Sequence, residues 1–446
     1  EAEKELADYY PKDPDGGTPI TYLWTRTIIC EGPSCGAEVP LIPSLWLAKK
    51  GNRSVVLKLL PDSKSKQIHI QISENAKLKD IEEGTVKRGT VTCPVCSFTT
   101  PVTSVRKQLK KKFGGANDAR LLAVVVERNG KRFYRLPLTS DLEAVKRASK
   151  EILRRENTNG DSYVKCPDEI LPLMSGVFNV PIYGHDTWGS LFTSRQLLML
   201  TTLSRLARDL DCKSESVPVD ILKSLLALAV DRQADYASSI CTWVTSGEFI
   251  GHTFAQGQSL PIKFDFAEGA PFSNGAGNWD GAIDWISRVC ESCASASYHA
   301  GTVVSATATN HPLSNDSAAL MVTDPPYYNA VPYADLSDFF YVWLRRTFSR
   351  SKNELFSSKL VPKDDEICEM AGWDSERYSH KDKAFFELNM ARAMEEGRRI
   401  VEPSGVGVIV FAHKSTSGWE AQLQALIDAG WIVTASWPID SEMVAR

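Results

Sequence analysis

Two sets of residues in this 446-residue chain have the types and the spacing of chemistry. The first is Asp324-Pro325-Pro326-Tyr327, which follows the apolar run 318–322 and precedes a second tyrosine, Tyr328. Pro325 has no N–H to give a sheet, so a strand over 318–322 must end there. Ligands of open α/β sheets bind outside the carboxyl ends of the strands, where this acid, these stiff carbonyls and these rings are delivered together. Asp324 and the Pro325 carbonyl can both accept hydrogen bonds from an NH2 group, and Tyr327 offers a face on which a heteroaromatic ring can stack. Such a set suits group transfer to a planar, weakly nucleophilic amine. A plain proline-rich turn is the competing reading; the tyrosine pair, the preceding strand and the amphipathic segment 336–348 favour the chemical one.

The second set is cysteine. Cys30 and Cys35 form one close pair and Cys93 and Cys96 another, each followed by a small or polar residue that lets backbone N–H groups approach sulfur. Four thiolates in two pairs between strand-like runs match a tetrahedral structural zinc site with no position left for water. The 57 residues between Cys35 and Cys93 exceed the loop of the simplest zinc ribbons, and intervening strands must fill the excess. His69 lies in the cleanly alternating run 67–72 and reads as an ordinary strand histidine. Cys290 and Cys293 fall on one face of a helical pattern with Ile286 and Val289, and are expected in the core as small hydrophobes.

Asp324-Pro325-Pro326-Tyr327 resembles the catalytic motif of amino-methylating DNA methyltransferases that use S-adenosylmethionine. The tyrosine form is more typical of adenine N6 than of cytosine N4. More narrowly, residues 323–346 resemble the adenine-specific DNA methylases that contain a zinc ribbon, and the likeness continues through 24–46, 191–200, 232–285 and 402–442. The resemblance implies a DNA adenine N6-methyltransferase that flips its target base from the duplex, with Asp324, Pro325, Pro326 and Tyr327 as catalytic residues. It also implies contact of Ala306 and Thr307 with the cofactor's adenine. Cytosine N4 methylation and a non-catalytic DNA-binding or specificity subunit are the alternatives. The implied partners are double-stranded DNA and restriction or phage-defence subunits.

The family's cofactor loop, Asp-Pro-Phe-x-Gly-x-Gly, has no counterpart in the chain. Ala270-Pro-Phe-Ser-Asn-Gly-Ala-Gly277 is only an echo of it, and the glycines before the helix 279–297 read better as a capping turn. The first strands of the sheet are therefore expected from an upstream segment or a partner chain, and the chain alone is expected to bind S-adenosylmethionine poorly or not at all. A start at Glu1 without methionine agrees with missing upstream sequence.

The elements that would position these residues divide the chain into five parts. Residues 1–19 read as a linker and 20–100 as a β-rich zinc ribbon. Residues 101–165 form a basic hairpin and helix module, 166–260 a helical region, and 261–446 the C-terminal part of the methyltransferase domain. The fold class is α/β: a class I methyltransferase doubly wound sheet, incomplete in this chain, with the ribbon and helical region inserted. Strands are expected at 301–307, 318–322, 405–412 and 431–437, and helices at 188–209, 219–243, 336–348 and 381–400.

Composition excludes some classes of protein. With 43% hydrophobic and 24% charged residues the chain is an ordinary globular one. No apolar run reaches the ~20 residues of a membrane span and no signal peptide is visible, so a cytoplasmic location is expected. The net charge of −4 is uneven: residues 101–165 carry 16 Lys/Arg against 7 Asp/Glu, leaving −13 for the remainder. Asn129-Gly130 suits the tight turn of a hairpin, which would gather Arg128, Lys131, Arg132 and Arg135 at its tip as candidate DNA contacts.

Overall fold

A computed structural model describes residues 1–438 apart from 78–80, 175, 212–216, 256, 296–298, 330, 349–353 and 413–415. Residue 442, near the end of the last stretch of resemblance, and residue 297, the expected end of a helix, lie outside the described residues. The chain divides into two units. The first is Glu1–Ser297 with Asp338–Leu360, and the second is Tyr298–Ser337 with Val361–Arg446.

The first unit begins with the short helix α1 (Ala2–Leu6) and strand β1 (Thr18–Thr25). The expected linker is absent here: Leu6 is fully buried and Glu5 pairs with Arg205, so residues 1–19 are packed onto the unit. A ribbon follows, made of β2 (Thr27–Ile29) against β3 (Glu38–Pro40), the meander β4 (Trp46–Lys50), β5 (Arg53–Asp62) and β6 (Gln67–Glu74), and the meander β7 (Val86–Lys87), β8 (Thr90–Thr92) and β9 (Thr99–Thr100). Helix α2 (Val102–Lys111) leads to the hairpin β10 (Arg120–Arg128) and β11 (Lys131–Arg135). Asn129 and Gly130 at its turn take φ of 49° and 72°, the left-handed pair that a two-residue hairpin turn requires.

β1 is the hinge of this unit. It pairs antiparallel with β10 on one side and with β14 (Asp265–Gly269) on the other, giving the order β11-β10-β1-β14. Both β1 and β10 are buried along almost their whole length, because the sheet is covered on both faces. Tyr22, Trp24, Val124 and Phe266 form one layer, while Leu23, Leu122, Val125 and Ala267 join the core of the ribbon. At the bend after β1, buried Arg26 donates to the carbonyls of Gly114, Ser239 and Lys263, tying three distant segments together.

Helices α3 (Thr139–Glu156), α4 (Ser194–Arg208), α5 (Val219–Asp235) and α6 (Trp279–Ser295) complete the unit. Arg195 and Gln196, at the start of α4, have structural work. Gln196 closes a capping box with Thr193 at the start of α4. Arg195 is fully buried, pairs with Glu268 at 2.7 Å and lies over the rings of Tyr10 and Tyr22. The region 166–260 is less helical than expected: α5 stops at Asp235, and β12 (Thr242–Val244) pairs with β13 (Phe249–Gly251). Asn278 caps α6 by accepting from Gly281 N–H and donates to Ser273 O, so the glycine loop before it is a capping turn.

The unit boundary falls inside helix α7 (Tyr333–Thr347), whose Phe339 and Trp343 are buried in the first unit against Phe192. In the second unit, β15 (Ala318–Thr323) and β16 (Val401–Ile409) form a parallel pair, packed through Met321 and Ile409 onto α8 (Lys383–Ile400) and α9 (Thr416–Asp428). The other face of this pair is open: Leu320 and Val322 of β15 are 56% and 64% exposed, and Val406 and Val408 stand beside them in register. Of the expected doubly wound sheet, this pair is the parallel part among the described residues. Segments 301–307 and 431–437, expected as strands, carry no strand, since neither has a neighbour to pair with.

Cys290 and Cys293 are a further correction. α6 is present, but both sulfurs are exposed, as are Trp285 and Val289 beside them, because periodicity selects a face without supplying a partner for it.

Candidate functional sites

The ribbon folds so that its two knuckles meet. The sulfurs of Cys30, Cys35, Cys93 and Cys96 all lie within 4.8 Å of one another, with Cys30–Cys96 at 3.6 Å and Cys35–Cys93 at 3.8 Å. A tetrahedral ion with metal–sulfur bonds of about 2.3 Å separates its sulfurs by about 3.8 Å, so the donor set fits a metal such as zinc. The knuckles are shaped for it. Ser34, Gly36 and Ser97 take φ of 56°, 66° and 62°, turning the backbone around the sulfurs, and Gly32 N–H donates to Cys30 Sγ at 3.3 Å. A Cβ on Gly32 would come within 2.8 Å of Phe98 Cβ, so only glycine lets the two knuckles close. Burial pushes the Cys30 and Cys93 thiols up, while the Phe98 N–H pulls the exposed Cys96 thiol down. His69 is exposed on β6 and is not part of the cluster.

The second site lies at the carboxyl ends of β15 and β16. Asp324 leaves the sheet directly after β15 and is exposed, Pro325 is buried, and Tyr327 is partly buried. The Tyr327 ring meets Phe411 edge-on at 5.7 Å, and Phe411 meets Trp419 of α9 at 5.2 Å. The two tyrosines divide their work: Tyr328 takes φ of 54° and buries its ring against Phe386 at 4.7 Å, anchoring the loop on which Tyr327 is presented. Tyr333 stands close enough that Asp324, after burial and Cys368, raises its hydroxyl.

A segment between residues 363 and 381 straps this loop down. Glu369 N–H donates to Tyr328 O at 3.0 Å, Glu366 accepts from Ala334 N–H at 2.8 Å, and fully buried Lys381 donates to Lys363 O. Buried Asp335 accepts from the Tyr378 hydroxyl at 2.8 Å and from Arg377 at 3.1 Å. Phe411, Trp419, Tyr333 and the strap were missed in the sequence. One signal was there for Phe411: like Tyr327, it comes just after an apolar strand, so parallel neighbours must bring the two aromatics to one edge.

Two other groups of expected contact residues have the following surroundings. Ala306 and Thr307 are exposed, and Thr307 bonds within its own turn, to Thr309 and Asn310. Three of the four hairpin cations are already engaged. Arg128 pairs with Asp15, Arg132 donates to Glu248 O, and Arg135 makes two-pronged contacts with both Asp13 and Asp141. Arg128 and Lys131 are the exposed members, and Arg128 is already paired with Asp15, so the tip is not the concentrated positive surface that its composition implies.

Among the described residues no helix is long and apolar enough to cross a membrane. No family model, characterised protein or solved structure matches the chain.

Proposed function

We propose that the chain is the base-handling and metal-bearing part of a DNA adenine N6-methyltransferase that takes its methyl group from S-adenosylmethionine, with zinc as a structural ion on the four cysteines. The observation that carries this reading is the strand end: an exposed acid, a proline carbonyl and a half-covered aromatic face on one edge of a parallel pair. A flipped adenine would lie against Tyr327, at an unpairing cost of a few kcal/mol. Asp324 and the Pro325 carbonyl accept the two hydrogens of its amine and fix the nitrogen, and Asp324 takes the proton released. Rate then comes from alignment more than from a strong base.

S-adenosylmethionine would supply an electrophilic methyl group, but the described residues do not fit it: the glycine loop at 273–277 is a helix cap. The apolar face left open by Leu320, Val322, Val406 and Val408 supports completion of the sheet, and of the donor pocket, by an upstream segment or a partner chain. The lack of a fitting cofactor loop among the described residues favours a second reading, a non-catalytic DNA-binding subunit.

The test is methyl transfer from labelled S-adenosylmethionine to unmethylated DNA, by this chain and by a longer chain including upstream sequence, with the products resolved as nucleosides by mass spectrometry. N6-methyladenine from the longer chain, lost in Asp324→Ala while DNA binding persists, is the expected result. Full activity in Asp324→Ala refutes the mechanism, N4-methylcytosine moves the assignment to the other base, and no transfer by either chain favours the non-catalytic reading.

A further inference from the structure

We propose that the C-terminal end of α2 is a duplex-DNA contact, in which Phe113 is a wedge against a base step and Lys107, Lys110 and Lys111 hold the flanking phosphates. This rests on the DNA reading above and adds a contact site to it. The hairpin cations cannot serve in this way, because most already have carboxylate or carbonyl partners.

α2 is different. It buries Val105 and Leu109 toward the ribbon and turns Lys107, Lys110 and Lys111 outward, at the i, i+3, i+4 spacing of one helix face. None of these three makes an ion pair among the described residues, whereas Lys112 pairs with Asp118 at 3.0 Å. The net positive charge of the segment is therefore uncompensated here.

Phe113 follows immediately, 75% exposed and with φ of 49°. A bulky side chain in the left-handed region is strained, and such strain persists only where the surroundings impose it. They do so here. Gly114, at φ of 84°, lies so close to the buried His185 ring that a Cβ would come within 2.2 Å of Nε2. Its carbonyl accepts from Arg26 Nε at 2.5 Å, and Gly115 N–H donates to Lys112 O at 2.9 Å. The aromatic ring thus stands on a rigid pedestal, within about 7.6 Å of Lys111 from Cα to Cα. Packing and turn geometry would both be better served by a small residue at 113. An apolar wedge beside phosphate-binding cations is how proteins open or kink a base step.

The experiment measures binding of the full chain to a fluorescent duplex across a salt series. Phe113→Ala should weaken binding about 5- to 150-fold and leave the salt slope unchanged. The triple variant Lys107→Ala, Lys110→Ala, Lys111→Ala should lower the slope of log Kd against log salt by about 2 to 3. Phe113→Trp should keep wild-type affinity, with indole emission quenched on binding, and an unchanged circular dichroism spectrum confirms the fold of each variant. Wild-type binding by Phe113→Ala and the triple variant overturns the proposal, as does preference for single-stranded RNA over duplex DNA. If the variants lose DNA affinity although no methyl transfer is found, the contact stands and the catalytic reading fails. If methyl transfer occurs with affinity unchanged in the variants, only the contact fails.

Discussion

Acidification should expel the metal from the cysteine cluster, with a steepness that counts its thiolates. A ligand must be deprotonated, and an unperturbed thiol has a pKa of about 8.5. Below that value each pH unit costs about 1.4 kcal/mol per sulfur, so about 5–6 kcal/mol for four. Structural zinc in small peptides binds with about 10–16 kcal/mol at pH 7, which two pH units of acid nearly cancel. Half-release is therefore expected near pH 5, and slightly higher if burial of Cys30 and Cys93, which favours their protonated forms, outweighs the opposite pull on Cys96. The sign differs between the loaded and stripped proteins. Without metal, the raised Cys30 and Cys93 thiols contribute stability that is present below about pH 8.5 and lost above it, because the unfolded chain deprotonates first. With metal, stability instead rises toward that pH. Cobalt substitution gives the readout: the thiolate-to-metal and d–d bands of a four-sulfur site should fade with a dependence approaching four protons per metal. A dependence of two protons or fewer, or the same curve in Cys96→Ser, would refute a four-thiolate site.

Three further outcomes follow from named contacts. Under the proposed function, Tyr327→Ala in the longer chain should lower kcat/KM for methyl transfer by about 1–3 kcal/mol through lost stacking, with Tyr327→Phe close to wild type; equal activity in all three proteins would remove the ring from the site. Arg135→Ala leaves the buried carboxylates of Asp13 and Asp141 without their shared partner and should cost about 3–5 kcal/mol in urea unfolding, without changing DNA affinity. Burial, then Arg26, pushes His185 down to about 3, so its contribution to stability is present above the unfolded pKa of about 6.5 and is lost as pH falls toward 3, by at most about 5 kcal/mol. Asp265, raised to about 6 by burial, works in the opposite sense between about pH 6 and 4. The difference in stability between wild type and His185→Gln should therefore depend on pH below 6.5, and a flat difference in paired urea titrations would contradict this.

What was legible in the chain was local. The knuckles could be read from the cysteine pairs because each turn is set by a handful of adjacent residues, and the 57 residues between them only had to fold as strands. The Asn129-Gly130 turn declared itself for the same reason. What was illegible was long-range. Asp13 and Asp15 neutralise a hairpin more than a hundred residues away, and no count of charges along the chain could reveal that pairing. Likewise Glu268 reaches Arg195 only once β14 has joined β1, and a buried polar pair leaves no periodic trace.

The apolar strands show why pattern reading fails in one particular way. The run 406–411 reads as a parallel strand buried on both faces, and β15 and β16 do pair in parallel, but only one face is covered. Periodicity records the environment a residue is suited to, whereas burial needs an actual neighbour. Leu320, Val322, Val406 and Val408 together expose a little over two side chains of apolar surface, worth about 3–6 kcal/mol if a further layer covered it. An isolated two-stranded sheet is marginal in water, so that energy is large beside the stability of the pair itself. Under the proposed function, this ties the chemistry to the fold: the strands that complete the sheet also bring the donor to the edge where Asp324 waits. Val322→Lys should then be tolerated in this chain alone and should abolish the activity gained with upstream sequence. If that activity survived the substitution, the open face would not be the surface that the missing layer covers.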